Sequence, residues 1–344
     1  MNILVTGNLG YIGTKLCDFL LEKKHKVFGL DAGFFINDKS IINNKIIQKL
    51  KDIRDINDKD FENIDIIVHL AALSNDPLGE LSPHLTKDIN YHSTIKLAEM
   101  AKKFNVKKLI YISSQSMYGV SDSKDELDED NSPKNPVTEY AKTKWEAEKN
   151  LRAIASNDFC ICYLRPSTVF GESRMLRLDI VFNNLIASAH TTNKIIIMSD
   201  GTPWRPSIHI NDLCNAIIAT INAPSKIINN RSYNVGLLNK NYTVRELALI
   251  AKQIYPNSEL VFKNLHSDPR SYKVSFIRIN KELKKFYQPE WSIERGGLQL
   301  KNYLKKINLK EYESKSRHYN RLMQIKYLID NKKIDKELRW QKEI

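Results

Sequence analysis

Short apolar runs alternate with longer stretches of helical periodicity through the first 170 residues. Ile3-Leu4-Val5 predicts a buried strand, and a helix follows from Tyr11 to about Glu22. Val27-Phe28-Gly29-Leu30-Asp31 reads as the second strand, and Ile46-Ile47 as part of a third. Ile66 to Leu70 predicts another buried strand, Leu85 to Phe104 a helix, and Leu109 to Ile112 a further strand. A helix carrying Tyr140 and Lys144 then leads into an apparent strand from Phe159 to Leu164. Strands alternating with helices call for a parallel sheet covered on both faces.

After Gly171 the regularity falls away. Helical patterns at 178–190, 212–221 and 244–254 are separated by short strands and Pro-rich loops, as in a substrate cap. Tyr319 to Ile329 has helical spacing and predicts a terminal helix packed on the body or on a second subunit. The expected fold is α/β, a Rossmann-type doubly wound parallel sheet with a smaller C-terminal α/β substrate-binding cap. The expected divisions are 1–170 for a dinucleotide domain, 171–306 mainly for the cap, partly returning to the sheet, and 307–344 for a basic helical tail.

The 344 residues can bury one large core, or a large domain with a smaller one appended. No apolar run approaches the ~20 residues needed to cross a bilayer, and the N-terminal run is too short for a signal peptide. A cytoplasmic protein without membrane insertion is expected. Cys17, Cys160, Cys162 and Cys214 are scattered. Cys160 and Cys162 alternate along one strand and face the same way, but no second pair or His cluster completes a metal site, so buried free thiols are expected. The formal charge is +13, and residues 301–344 hold 13 Lys/Arg against 6 Asp/Glu. No nucleic-acid motif accompanies that charge, so part of it is free to serve an anionic substrate.

The chemistry is carried by two patterns. Gly7-Asn8-Leu9-Gly10-Tyr11-Ile12-Gly13 joins the first strand to the first helix, where glycines let a pyrophosphate approach the backbone. The spacing is G-x-x-G-x-x-G. Asp31 follows at the end of the second strand, placed to accept from an adenosine ribose and to repel a 2′-phosphate, which favours NAD over NADP. Tyr140 and Lys144 lie four apart on a helix and therefore on one face. A phenol near pKa ~10 is a poor base at neutral pH, but a neighbouring ammonium and a positive nicotinamide are expected to lower that value.

These motifs resemble the extended short-chain dehydrogenases/reductases, in particular the NAD-dependent epimerase/dehydratase family acting on nucleotide sugars. The resemblance runs from residue 1 to about residue 305. Besides the glycines, Asp31 and Tyr140/Lys144, it rests on Asp52-Ile53, His69-Leu70-Ala71-Ala72, Asn90, and Ser113-Ser114-Gln115-Ser116-Met117-Tyr118-Gly119. Leu164-Arg165-Pro166 and Trp204-Arg205-Pro206-Ser207-Ile208-His209 complete it. Ala71 to Gly79 and Arg174-Met175-Leu176-Arg177-Leu178-Asp179 are similar to the branch of sugar-nucleotide 4-epimerases and C4 dehydrogenases of nucleotide-activated heptoses.

The resemblance implies NAD as cofactor and a homodimer formed through the Tyr140 helix. It implies that Asp52 and Ile53 flank the adenine and that Leu70, Ala71 and Ala72 line the phosphate and ribose side. It carries cofactor contacts further to Leu9, Tyr11, Ile12, Ser74, Asn90 and Ser113, and to Pro166, Thr168 and Val169. Tyr140 would be the base, Lys144 its electrostatic partner and ribose ligand, and Ser114 the hydroxyl that orients the substrate. Ser74, Gln115, Ser116 and Arg177 would face the sugar nucleotide. Arg205 and Arg270 match positions that meet its diphosphate, a task suited to a bidentate guanidinium.

Family members share an opening oxidation of a sugar hydroxyl, usually at C4. A 4,6-dehydratase would hold an Asp-Glu pair after the catalytic Ser/Thr, where this chain has Gln115 and Ser116. Neither titrates near neutral pH, so elimination lacks its acid and base. A 3,5-epimerase would want a cysteine at Ser116. Hydride out and hydride back therefore remains, giving a C4 epimerase, or a C4 dehydrogenase if the 4-keto sugar departs. Pro166-Ser167-Thr168 replaces a stretch where many 4-epimerases carry Asn, so galactose/glucose exchange is not assumed. A non-catalytic cofactor sensor would be expected to lose Tyr140 or Lys144, and a reductase of steroid-like substrates has no use for the two arginines.

Overall fold

The computed structural model describes residues 1–36, 41–121, 125–263 and 271–341. Its strands in chain order are β1 Asn2–Thr6, β2 Lys26–Asp31, β3 Ile47–Leu50, β4 Ile66–His69, β5 Lys108–Ile112 and β6 Cys160–Pro166. There follow β7 Thr168–Phe170, β8 Lys194–Ile197, β9 Ser207–His209, β10 Arg231–Val235 and β11 Glu259–Phe262. Seven of them form one parallel sheet in the order β10-β6-β5-β4-β1-β2-β3. The expected doubly wound fold is what the chain adopts.

Alternation along these strands divides the core between the two faces of the sheet. Ile3, Val5, Val68, Ile110, Cys160 and Cys162 join one cluster, while Leu4, Ile67, Leu109, Ile161 and Tyr163 join the other. The two cysteines share a face as expected, and all four thiols are buried and free. A buried face on both sides is why these runs are apolar without interruption. β7 pairs with β9 and β8 with β11 in two small parallel sheets outside the main one, and β10 brings the chain back to its edge.

The first helix runs over Tyr11–Glu22 as the periodicity predicts. The expected single helix from Leu85 to Phe104 is instead Pro83–Lys87, a wider π-type turn over Asp88–His92, then Ser93–Lys103. The wide turn contains Asn90, whose side chain serves the loop after β4. The terminal helix spans Arg321–Asp330 and packs on the body: Ile325 and Leu328 sit in the cluster with Leu4, Leu30 and Ile67. Beyond it, Trp340 Nε1 donates to Ala32 O at 2.7 Å, and Arg339 pairs with Asp55 at 2.6 Å. No helix of the described residues is long and apolar enough to cross a membrane.

His69 at the end of β4 is wholly buried. Thr94 gives its hydroxyl proton to Asn90 O, so His69 Nε2 carries the ring hydrogen and donates to Thr94 Oγ1 at 2.8 Å. Nδ1 then accepts from Thr6 at 2.6 Å, which ties β1 and β4 to the helix behind them. Burial pulls the pKa of His69 down to about 3, and that of the buried His209 likewise. Below pH ~6.5 the unfolded chain takes up protons on these rings that the folded chain refuses, so stability falls as pH drops toward 3. The loss is at most ~1.4 kcal/mol per pH unit per ring. Denaturant unfolding between pH 7.5 and 4.5 should give a shallower pH slope for His69→Gln than for the parent, with lower stability at pH 7.5 because the threonine bridge is broken.

Candidate active site

The chain leaves β1 toward one side of the sheet and β4 toward the other, so a crevice opens at their C-terminal ends. Gly7 sits there at φ +74°, and a Cβ on it would lie 2.7 Å from Ala71 N. A Cβ on Gly13 would lie 2.2 Å from Gly7 O, so the helix can start close to the strand only with glycine there. Gly10 is the N-cap and brings no side chain to that helix end. The helix therefore presents uncapped amide hydrogens and its positive end to a cavity of about 370 Å³ bordered by Gly10, Tyr11, Ile12 and Gly13.

The cavity runs along the strand ends. On the β2 side Asp31 accepts from Gly33 N–H at 2.8 Å and Leu9 N–H at 3.1 Å, and burial raises its pKa. Asp52 and Ile53 close that end, with Asp52 held bidentately by Arg54. Leu70, Ala71, Ala72 and Ser74 form the wall after β4, and Pro166, Thr168 and Val169 the wall after β6. Ser113, Ser114, Ser116, Tyr140 and Lys144 line the middle.

Three of the expected contacts do not reach the cavity. Leu9 offers its N–H to Asp31. Asn90 stands behind the wall, accepting from Leu73 N–H at 2.8 Å and donating to Leu73 O at 3.2 Å. Gln115 is buried, donating to Arg165 O at 3.0 Å and accepting from the Ser167 hydroxyl at 3.2 Å. Each shapes a loop whose backbone or neighbour faces the cavity. Arg270 lies outside the described residues.

Tyr140 opens the helix Glu139–Ile154, capped by Thr138, whose hydroxyl accepts from Ala141 N–H at 3.3 Å. The phenol hydrogen-bonds Ser114, and Ser116 donates to Ser114 Oγ at 2.8 Å. The expected lowering of the phenol pKa is not what the protein groups produce. Burial raises it to about 12, outweighing the Ser114 bond. Burial also takes Lys144 down to about 7, its Nζ held 2.8 Å from Ile112 O and 4.9 Å above the Tyr111 ring. Desolvation disfavours both charged forms at once.

At the far end Arg177 grips Asp179 bidentately at 2.8 and 3.0 Å and donates to Ser74 O at 3.2 Å. Arg205 borders both this cavity and a second one of about 320 Å³ walled by Leu185, Ile197, Met198, Pro203 and Val244. Sequence reasoning missed several groups that share the site. Asp76 lines the cavity and raises the Tyr140 pKa, and Thr138 donates to its carboxylate. Phe35, Tyr272 and Arg321 also border it. The Ser74-Asn75-Asp76 stretch signalled Asp76, since Asn75 caps a turn by accepting from Leu78 N–H at 3.0 Å. Arg321 carries no local signal.

The NAD dependent epimerase/dehydratase family matches residues 3–236. The chain belongs to that family. Among its relatives, a Methanocaldococcus jannaschii protein provisionally named UDP-glucose 4-epimerase is 29% identical over 319 residues, covering 89% of this chain and 99% of that one. The UDP-glucuronic acid 4-epimerase of Bacillus cereus, solved with UDP-glucuronic acid and NAD, superposes with a TM-score of 0.76 at 25% identity, over 89% of this chain and 100% of that one. The UDP-glucose 4-epimerase of Thermotoga maritima shares the fold, with a TM-score of 0.79 at 22% identity over 90% of this chain and 100% of that one.

As a member of this family the protein uses NAD, and its residues fit that group. The uncapped helix end suits the pyrophosphate, and Asp31 suits ribose hydroxyls while repelling a 2′-phosphate. Ser113 Oγ borders the cavity, buried, with no hydrogen-bond partner among the described residues. A polar ligand there would answer it.

The buried amine makes a test of how far stability is given up for this site. Lys144 is 3% exposed. Between pH ~10.5 and 7 the unfolded chain protonates this amine and the folded one does not, so its cost grows as pH falls and is complete near 7. Lys144→Met should raise stability by about 1–3 kcal/mol at pH 7, with a smaller gain at pH 9.5, while turnover is lost. Thermal melting at the two pH values and an activity assay check it.

Proposed function

We propose that this protein is an NAD-dependent nucleotide-sugar epimerase that oxidises the sugar C4 hydroxyl to a ketone and returns the hydride to the opposite face. The observation that carries the reading is the convergence of Ser114, Tyr140 and Lys144 on one cavity whose far end Arg205 shares with a second, apolar-walled one. That arrangement suits a sugar held at the strand ends, a diphosphate met by guanidinium and a nucleoside beyond it. Relatives that act as UDP-sugar 4-epimerases support the same substrate class.

In this reading Ser114 orients the C4 hydroxyl and Tyr140 takes its proton. Lys144, four residues on, lends the phenol side of the site positive charge in its protonated form. When bound, NAD accepts the hydride from C4 and gives it back. Gln115 is tied to backbone and Ser167, and Ser116 to Ser114, so neither is an acid or base for losing water across C5 and C6. A C4 dehydrogenase that keeps NAD(H) and releases the 4-keto sugar would use the same residues. Residues 321–340 pack over the loop after β2, beside the adenine end, which suits a cofactor retained through turnover.

A proton NMR time course with UDP-, GDP-, CDP- and dTDP-sugars, without added NAD, tests the proposal. Many turnovers to an isomer are expected. One stoichiometric oxidation that resumes only with an electron acceptor would select the dehydrogenase, and a 6-deoxy-4-keto product would overturn both. Tyr140→Phe should lower turnover by about 10²–10⁴-fold with NAD still bound. Retained activity would remove Tyr140 from the chemistry.

A further inference from the structure

The C-terminal segment crosses the cofactor crevice from one wall to the other. It begins at the wall after β7, where Leu178 N–H donates to Tyr319 O at 3.0 Å and Arg321 N–H to Asp179 at 3.3 Å. It ends on the opposite wall. Gln324 donates to Phe34 O at 2.9 Å, Trp340 to Ala32 O at 2.7 Å, and Arg339 pairs with both Asp52 and Asp55. The rings of Phe34 and Trp340 lie 5.8 Å apart.

Where the segment passes over the crevice it inserts Arg321. This side chain is 3% exposed yet borders the cavity. Among the described residues its guanidinium donates from Nη2 to Met175 O at 3.0 Å, and it stacks 4.5 Å from the Phe35 ring. Among the described residues no carboxylate lies within ion-pairing distance of it. Nearby Asp179 is already held bidentately by Arg177, and Asp31 by two backbone amides. A buried guanidinium has five donors and a full charge to satisfy, and this one borders the cavity. Burial, reinforced by Arg177, pulls its pKa down to about 9, against the nearby Asp179 and Asp31.

The groups around Arg321 say which anion fits. It borders the same cavity as Asp31 and as Gly10, Ile12 and Gly13 at the uncapped helix end, and the Asp31 carboxylate bears on its charge. A phosphate between the ribose position at Asp31 and the uncapped helix end lies within that neighbourhood. We propose that Arg321 is a ligand of the NAD pyrophosphate, delivered by the C-terminal segment, so that cofactor and segment hold each other in place. The glycine turn approaches the diphosphate from the sheet, and Arg321 closes on it from the solvent side.

The test compares ligands with and without phosphate. NAD, ADP and adenosine are titrated calorimetrically into nucleotide-free protein, the parent against Arg321→Gln and Arg321→Lys. Arg321→Gln should weaken NAD and ADP by about tenfold to a hundredfold and adenosine by less than about twofold, with Arg321→Lys in between. An equal loss for adenosine would mean that the guanidinium only supports the fold, and the proposal fails. Unchanged NAD binding with weakened binding of UDP or GDP would move Arg321 to the substrate's diphosphate and fail it as well. If Arg321→Gln does not fold, Arg321→Lys must still lose more for ADP than for adenosine. These readouts need no turnover, so they stand or fall separately from the assigned reaction.

Discussion

No side chain fits between the end of β1 and the end of β4, and the site depends on that constraint. Gly7 meets the backbone of Ala71, and Gly13 meets Gly7 itself. Any Cβ at either position would push the first helix away from the strand ends. The helix would then lose its aim along the crevice, and the wall from Leu70 to Ala72 would move with β4. Close backbone approach is also what lets a row of amide hydrogens, rather than side chains, meet an anion. His69 reinforces the same junction from behind, since its two ring nitrogens join Thr6 of β1 to Thr94 across the sheet edge.

A second buried device sets the Tyr140 helix. Glu148 and Arg165 pair at 2.5 Å with neither side chain exposed. Arg165 also donates to Tyr118 and to Glu129 O, and Glu148 accepts from Ser232. Two charges taken out of water at this depth gain little net stability against apolar residues of the same volume. They do, however, tie the helix to β6 through Arg165 and to β10 through Ser232. Tyr140 lies two turns from Glu148 on that helix, so its angle to Ser114 is inherited from the pair. Gly79 lies against the start of the same helix, where an added Cβ would stand 3.0 Å from Tyr140 Cβ and 3.2 Å from its amide nitrogen.

Much of this was legible in the sequence for reasons of period and local chemistry. Tyr11–Glu22 and Val244–Ile254 start and stop where their apolar spacing does, the latter with a capping box of Thr243 and Glu246. The residues of the glycine turn, the serine motif and the Tyr140 helix converge because a parallel sheet collects all its strand ends on one edge. What escaped was set by tertiary contact. The helix expected over 85–104 widens at Asn90 so that its amide can hold Leu73, a demand from another loop. Gln115 sits inside the serine motif but turns into the core because Arg165 O and Ser167 need partners. Arg321 lies 290 positions after Asp31 in a segment whose pattern says only that it is helical and basic.

The charges that the protein groups themselves set around Tyr140 bear on when its proton can move. Burial keeps the phenol of Tyr140 protonated, with a pKa of about 12, and takes Lys144 to about 7, so near neutrality the amine is charged only in part. The phenol of Tyr140 is therefore no base at neutral pH through the protein groups alone. A positive ring placed beside them would favour phenolate by the same low dielectric that now opposes it, because burial magnifies attraction as well as desolvation. Asp76 pulls the other way by raising the phenol further. In the proposed reaction basicity would arrive with the oxidised cofactor and fade when its charge is lost, coupling proton removal to hydride transfer without a moving part.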